Sequence, residues 1–181
     1  MVAEESVVGR LVRDRVVIDR LGAFKDVVEL FYSKNFFGSL DKSSLILSLP
    51  EALYLLDSGK ISIVDYRGKS LSYSSFADRV SRVDKRFLSK FLVFKDLRSR
   101  GYFLRSALKY GADFLVYDRG KSPGKNHSKW LLFVSSQDDR FSWRSWIGNN
   151  RVAHSVKKSA LVAIVDGSGE ITYYQIDWFR P

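Results

Sequence analysis

Three side chains in the last seventy residues could between them take a proton, give a proton and steady a negative charge: the phenol of Tyr117, the imidazole of His127 and the ammonium of Lys158. Tyr117 closes the apolar run Phe114-Leu115-Val116. His127 comes ten residues later, after a loop carrying Gly120, Lys121, Pro123, Gly124 and Lys125, residues that favour exposed turns over a core. Lys158 follows Lys157, where helix-like sequence gives way to the strand-like Leu161–Val165. In a strongly basic context with few carboxylates, such a set suggests metal-free RNA cutting. Each residue also has an ordinary reading: a surface histidine, a solvated lysine, a tyrosine packed with its hydroxyl wet. Type and position alone leave both readings open.

Composition narrows the classes. The 181 residues suffice for one large domain or two small ones. A hydrophobic content of 45% and an aromatic content of 14% support a packed core rather than disorder. The net charge of +10, from 30 basic and 20 acidic residues, favours a polyanionic partner, nucleic acid first. Cysteine is absent, which removes disulfides, thiolate nucleophiles and Cys-bound metals. The opening MVAEESVVGR lacks a secretory-signal pattern, and no apolar run approaches the roughly 20 residues of a membrane span. A cytoplasmic protein without membrane attachment is expected.

The elements that must position the three residues follow from periodicity. Val7 to Asp19 reads as a strand pair turning at Arg13-Asp14. Phe24, Val27, Val28 and Phe31 recur at helical spacing, and Gly38 with Asp41-Lys42-Ser43 ends that unit. Leu45–Leu47 is a strand. Ser48 and Glu51 have capping-box spacing, with Pro50 in the first turn of a helix that stops before Gly59. Ile61–Val64 is a further strand, and Ser72–Val83 a helix with Phe76, Val80 and Val83 on one face. Asp84-Lys85-Arg86 is the candidate seam, giving an N-terminal α/β domain over 1–84 and a catalytic domain over 85–181. In the second, Phe87, Phe91, Phe94, Leu88 and Leu97 line a helix ending at Gly101. Strands at 102–104, 114–117, 130–134, 161–165 and 171–176 alternate with a helix around 142–157, and Asp166-Gly167-Ser168-Gly169 suits a tight turn. The fold class is α/β (α+β), a mixed sheet flanked by helices.

The stretches LKYGADFLVYDRG (108–120), NHSKWLLFV (126–134) and RVAHSVKKSALVAIVD (151–166) resemble the catalytic domain of the archaeal tRNA-splicing endonucleases, or tRNA-intron endonucleases. LILSLPEALYLL (45–56) resembles that family's amino-terminal domain. The resemblance implies a restriction-endonuclease-like catalytic domain and a catalytic tyrosine, histidine and lysine that fall on Tyr117, His127 and Lys158. Lys158 is preferred to Lys157 because it stands two residues after Ser155-Val156. Arg151 matches one of the arginines that clamp a bulged base. The chemistry implied is attack by the ribose 2′-hydroxyl on its own phosphate, leaving a 2′,3′-cyclic phosphate and a 5′-hydroxyl. Tyr117 would position and deprotonate the 2′-hydroxyl. An imidazole, with a reference pKa of about 6.5, can protonate the leaving oxygen, and Lys158 would hold the charge gathering on phosphorus. A phenol with a reference pKa near 10 needs nearby positive charge for the role given to Tyr117.

No cofactor and no metal are expected. A two-metal mechanism needs converging carboxylates, and no acidic pair in the second half has a ligand-like spacing. His154 reads as a helix residue bonding or packing locally. Lys121, Lys125 and Lys129 could contact phosphate near His127. Arg144, Trp143, Trp146 and Trp178 are base-stacking candidates by type, although core or subunit packing is the commoner use of tryptophan. The resemblance implies precursor tRNA as partner, with bulge–helix–bulge junctions as the cut sites. It also implies an assembly, either a homo-oligomer or a heterotetramer with a structural subunit, built through the last strand (Tyr173–Ile176) and an acidic loop (Ser135–Asp139). The alternatives are a non-catalytic RNA-binding structural subunit of such an assembly and a generic basic DNA-binding protein.

Overall fold

The computed structural model describes residues 7–19, 24–140 and 142–179, and its chain divides into two units, Met1–Phe87 and Leu88–Pro181. Among its described residues the first unit carries six strands, β1 (Val7–Val12), β2 (Arg15–Asp19), β3 (Ser39–Asp41), β4 (Ser44–Ser48), β5 (Ile61–Val64) and β6 (Ser70–Leu71), in the order β3-β4-β2-β1-β5-β6. β1 and β2 form the expected hairpin, with Leu11 opposite Val16. β1 runs parallel to β5, and the other pairings are antiparallel. Two-residue alternation sends Val16, Ile18, Leu45, Leu47, Ile61 and Ile63 to a single buried face. Gly9 stands on that face opposite Ile63, where a Cβ would come within 2.5 Å of Val16 Cγ1.

Helix α1 (Phe24–Val27) continues as a π-helical turn over Val28–Lys34, which buries Phe31. Helix α2 (Leu49–Asp57) starts with Pro50 in its first turn. The buried Glu51 carboxylate accepts from Ser48 N at 2.8 Å, Ser48 Oγ at 2.7 Å and Gly38 N at 2.9 Å. One side chain thus ties a helix start to the chain leading into β3, at a backbone position (φ +65°) that suits glycine. Helix α3 (Tyr73–Ser81) is capped by Ser72, whose Oγ accepts from Ser75 N. It buries Phe76, Ala77 and Val80, and Phe76 meets the Phe87 ring at 6.4 Å. Val83, expected on that face, lies beyond the helix and is 90% exposed.

Among its described residues the second unit holds five strands, β7 (Phe103–Ser106), β8 (Phe114–Tyr117), β9 (Trp130–Ser136), β10 (Ser159–Val165) and β11 (Ile171–Ile176), ordered β11-β10-β9-β8-β7. Only β9 and β10 are parallel. A parallel neighbour requires a crossover, and helix α5 (Trp143–Ser155) supplies it, starting at Ser142, whose Oγ caps Ser145 N. α5 packs Ala153, Trp146, Val152 and Val156 against Leu131, Phe133 and Ala160. On the other face, Phe94 of helix α4 (Phe87–Ser99) meets the Phe114 ring at 5.8 Å. Covered on both sides, β9 is buried from Trp130 through Ser135. Burying each such Leu or Phe contributes roughly 1.5–3 kcal/mol. Leu88, expected among the buried residues of α4, is exposed, and Val93 is buried instead. The turn after β10 is closed by Asp166 Oδ1, which accepts from Ser168 N, Ser168 Oγ and Glu170 N.

Candidate active site

Strand register decides which side chains meet. Val116 of β8 and Ser159 of β10 both stand opposite Trp130 of β9, so the three residues form one rung. One residue outward, the rung becomes Tyr117, Lys129 and Lys158. Lys129 N donates to Val116 O at 2.9 Å, and Ser159 N donates to Lys129 O at 3.1 Å, which keeps the strand ends in step. At about 4.8 Å per strand, the backbones of Tyr117 and Lys158 stand about 10 Å apart. Leu115 and Ala160 both pack on the α5 side of the sheet. Alternation puts Tyr117 on the Leu115 side and Lys158 on the Ala160 side, so both side chains leave the same face.

Lys158 reaches the His127 segment directly. Its Nζ donates to the carbonyl oxygen of Ser128, next to His127, at 2.9 Å. Ser128 is buried and His127 is exposed. The loop before them is folded back on itself: Asn126 N donates to Ser122 O at 3.0 Å, and Asn126 Oδ1 accepts from Ser122 N at 3.1 Å. Lys121 and Lys125 sit exposed on that loop, as expected, although Pro123 between them is buried. Arg151 is exposed on α5, one turn before His154.

The phenol of Tyr117 is half-buried. Burial pushes its pKa above the usual tyrosine value; Arg105 and Lys109 pull it down and Tyr110 pushes it further up, with burial prevailing. The sequence reading required positive charge to lower this phenol, and the charge present falls short. Arg105 and Lys109 went unread because the fold, not the local sequence, brings their charge to Tyr117: Arg105 stands opposite Leu115 and so shares a face with Tyr117, and Lys109 lies in the short turn Leu108–Tyr110 between β7 and β8. A raised phenol stays neutral through neutral pH. Its contribution to stability is in place below the unfolded-state value of about 10 and is lost as pH climbs through the raised folded-state value. Ultraviolet titration of tyrosinate should therefore show an absorbance step above pH 10 that is missing from the Tyr117→Phe protein. A missing step below pH 10 would contradict the burial argument.

Beside Lys158 lies a cleft of about 360 Å³, lined by Lys129, Asn150, His154, Lys157, Ile176, Asp177 and Trp178 as well as Lys158 and Ser159. His154 and Trp178 face one another with ring centroids 5.0 Å apart, so His154 packs as expected but on a residue far from it in the chain. Lys129, expected to contact phosphate, is already engaged: its Nζ is 3.2 Å from Asp118 Oδ2 and 4.5 Å from the Trp130 ring centre. Trp146 packs on Phe133 at 5.9 Å, whereas Trp143 is 81% exposed and does not serve the core of this chain. Asn150 carried no signal in the sequence, and Ile176 was read only as part of the last strand, since nothing local marks a residue that meets Lys158 only through the fold. Among the described residues, no three His, Asp or Glu side chains form a metal-ligand group.

Residues 87–173 match the model of the tRNA intron endonuclease catalytic C-terminal domain, and residues 7–77 that of the tRNA intron endonuclease N-terminal domain. The chain is 38% identical over 177 residues to a tRNA-splicing endonuclease of Thermococcus onnurineus, covering 98% of this chain and 99% of that one. This chain belongs to the tRNA intron endonuclease family. Similar proteins of the same description occur in Methanothermobacter thermautotrophicus, at 38% identity over 86% of this chain and 89% of the relative, and in Nanoarchaeum equitans, at 40% over 75% and 90%. Both family domains are thus represented, in the order seen in the fold. No helix among the described residues is long and apolar enough to cross a membrane.

Proposed function

We propose that this chain is a catalytic, metal-independent tRNA-splicing endonuclease subunit. It acts in the cytoplasm and cuts precursor tRNA at bulge–helix–bulge exon–intron junctions. The observation that carries the reading is the Lys158 Nζ–Ser128 O hydrogen bond, in register with Tyr117 two strands away. It supports a single phosphate lying among Tyr117, His127 and Lys158. The 2′-oxygen attacks phosphorus and the bond to the 5′-oxygen breaks. The 2′ proton passes to solvent, and the leaving oxygen takes a proton from the ring of His127. Lys158 steadies the charge on the non-bridging oxygens. Burial pushes the Tyr117 phenol toward its neutral form, and its part is to accept a hydrogen bond from the 2′-hydroxyl and aim it as that proton leaves. Arg151, Lys121 and Lys125 hold the substrate by stacking and charge.

The reading includes an oligomer with paired sites, supported by β11 at the sheet edge with Tyr174 52% exposed. The test is incubation of the purified chain with an intron-containing precursor tRNA in EDTA, followed by end-group analysis and light scattering. The expected result is a 2′,3′-cyclic phosphate and a 5′-hydroxyl from an assembly larger than a monomer. Strict dependence on magnesium would overturn the metal-independent mechanism. RNA that is bound and never cut, with or without a partner chain, would make this a structural subunit.

A further inference from the structure

The first unit has a cleft of its own. It holds about 280 Å³ and is lined by Asp65, Lys69, Ser70, Ser75, Asp78, Arg79 and Arg82, with Leu71 the one apolar residue of its lining among the described residues. That is below the roughly 300–1,000 Å³ of pockets that enclose small molecules, so the cleft suits a protruding polar group. Ser75, Asp78 and Arg79 follow helical spacing along the side of α3, continued by Arg82 at its C-cap, away from the buried Phe76, Ala77 and Val80. Lys69 and Ser70 face them from β6 and the turn before it.

Charge bookkeeping in the cleft leaves cations over. Asp65 is buried and committed: it accepts from Arg67 N at 2.8 Å and Lys69 N at 3.0 Å, and lies 3.6 Å from Arg79 Nη1. Asp78 is exposed. Among the described residues, neither Lys69 nor Arg82 forms an ion pair with any carboxylate. Residues 65–86 contain six lysines and arginines against three aspartates, while the rest of residues 1–87 holds eight basic against nine acidic. The cationic excess of residues 1–87 thus falls in this stretch, three of whose cations, Lys69, Arg79 and Arg82, line the cleft against Asp65 and Asp78.

We infer that this cleft is a second RNA-backbone site, in which Lys69 and Arg82 grip phosphate oxygens of the precursor tRNA and the Ser70 hydroxyl can donate alongside them, while the Ser75 hydroxyl is held by the Ser72 carbonyl at 3.1 Å. Arg79, held by Asp65, sets the cleft wall. The inference rests on the reading of this chain as an RNA-processing protein. It adds a contact that contributes affinity and no chemistry, since phosphate contacts position a nucleic acid without reading its sequence.

The test compares Lys69→Gln/Arg82→Gln with a control of equal charge change on the same unit, Lys42→Gln/Lys60→Gln, at exposed positions outside the cleft. Affinity for full-length precursor tRNA is measured from 50 to 200 mM salt. Two lost phosphate contacts should make the slope of log K against log salt shallower by about 1.5 and weaken binding about tenfold at the low-salt end. The control should leave both unchanged, and the cleavage rate at saturating protein should be the same in all three proteins. Equal affinity of the cleft variant and the parent would overturn the inference. So would equal weakening by the control, which would reduce the cleft to general charge. Because the readout is binding, a parent protein that binds RNA without cutting it would refute the catalytic reading while this comparison still decides the cleft.

Discussion

Replacing His127 by alanine should slow single-turnover cleavage of a bulged precursor by about 10²–10⁴-fold, the usual worth of a positioned acid, with RNA affinity nearly unchanged. The imidazole is exposed and holds up no core, so the variant should keep its fold. The decisive comparison uses a substrate whose leaving 5′-oxygen is replaced by sulfur. A thiolate leaves without a proton, so the alanine variant should cut that substrate at close to the parent rate. If the variant is slow on both substrates, His127 does something other than protonate the leaving group. If it is fast on the natural RNA, the acid lies elsewhere.

Lys158→Ala should cost about 10²–10³-fold in the cleavage step, the typical loss when one donor to a developing oxyanion is removed. It also strands the Ser128 carbonyl, whose partner is Lys158 Nζ, so some loosening beside His127 adds to the loss. Lys157→Ala is the matched control. Lys157 has a left-handed backbone (φ 55°) and an exposed side chain, and alanine at that position carries the same backbone conformation. Its cleavage rate should stay within a few-fold of the parent, with a modest loss of affinity at low salt. Single-turnover rates at saturating protein separate the two effects. A large rate loss in Lys157→Ala with little change in Lys158→Ala would move the role by one residue.

The sequence was most legible where a local pattern and its terminators agree. β8 and β11 have the bounds expected from their apolar runs, and the Ser142 and Ser48 helix starts follow from capping residues. β3 and β6, of three and two residues, are too short to display any period, and pairing with longer neighbours makes them strands. Val83 and Leu88 fit a helical stripe on paper, but the first lies past its helix end and the second turns to solvent. At the site, residue types were legible and environments were not. The raised Tyr117 phenol reflects burial against Arg105 and Lys109, and the His154–Trp178 stack joins residues 24 apart in the chain. Both are products of register and crossover, which no short window of sequence contains.

The doubly covered β9 has a consequence for heat tolerance. Its amides lie at the centre of the sheet with helices above and below, so they open only when the whole unit melts. The backbone that carries Ser128 and Lys129 is continuous with that strand, and Tyr117 and Lys158 hang from its two neighbours. The reactive groups are thus bolted to the last part of the protein to come apart, and warming should leave their spacing intact until the fold itself fails.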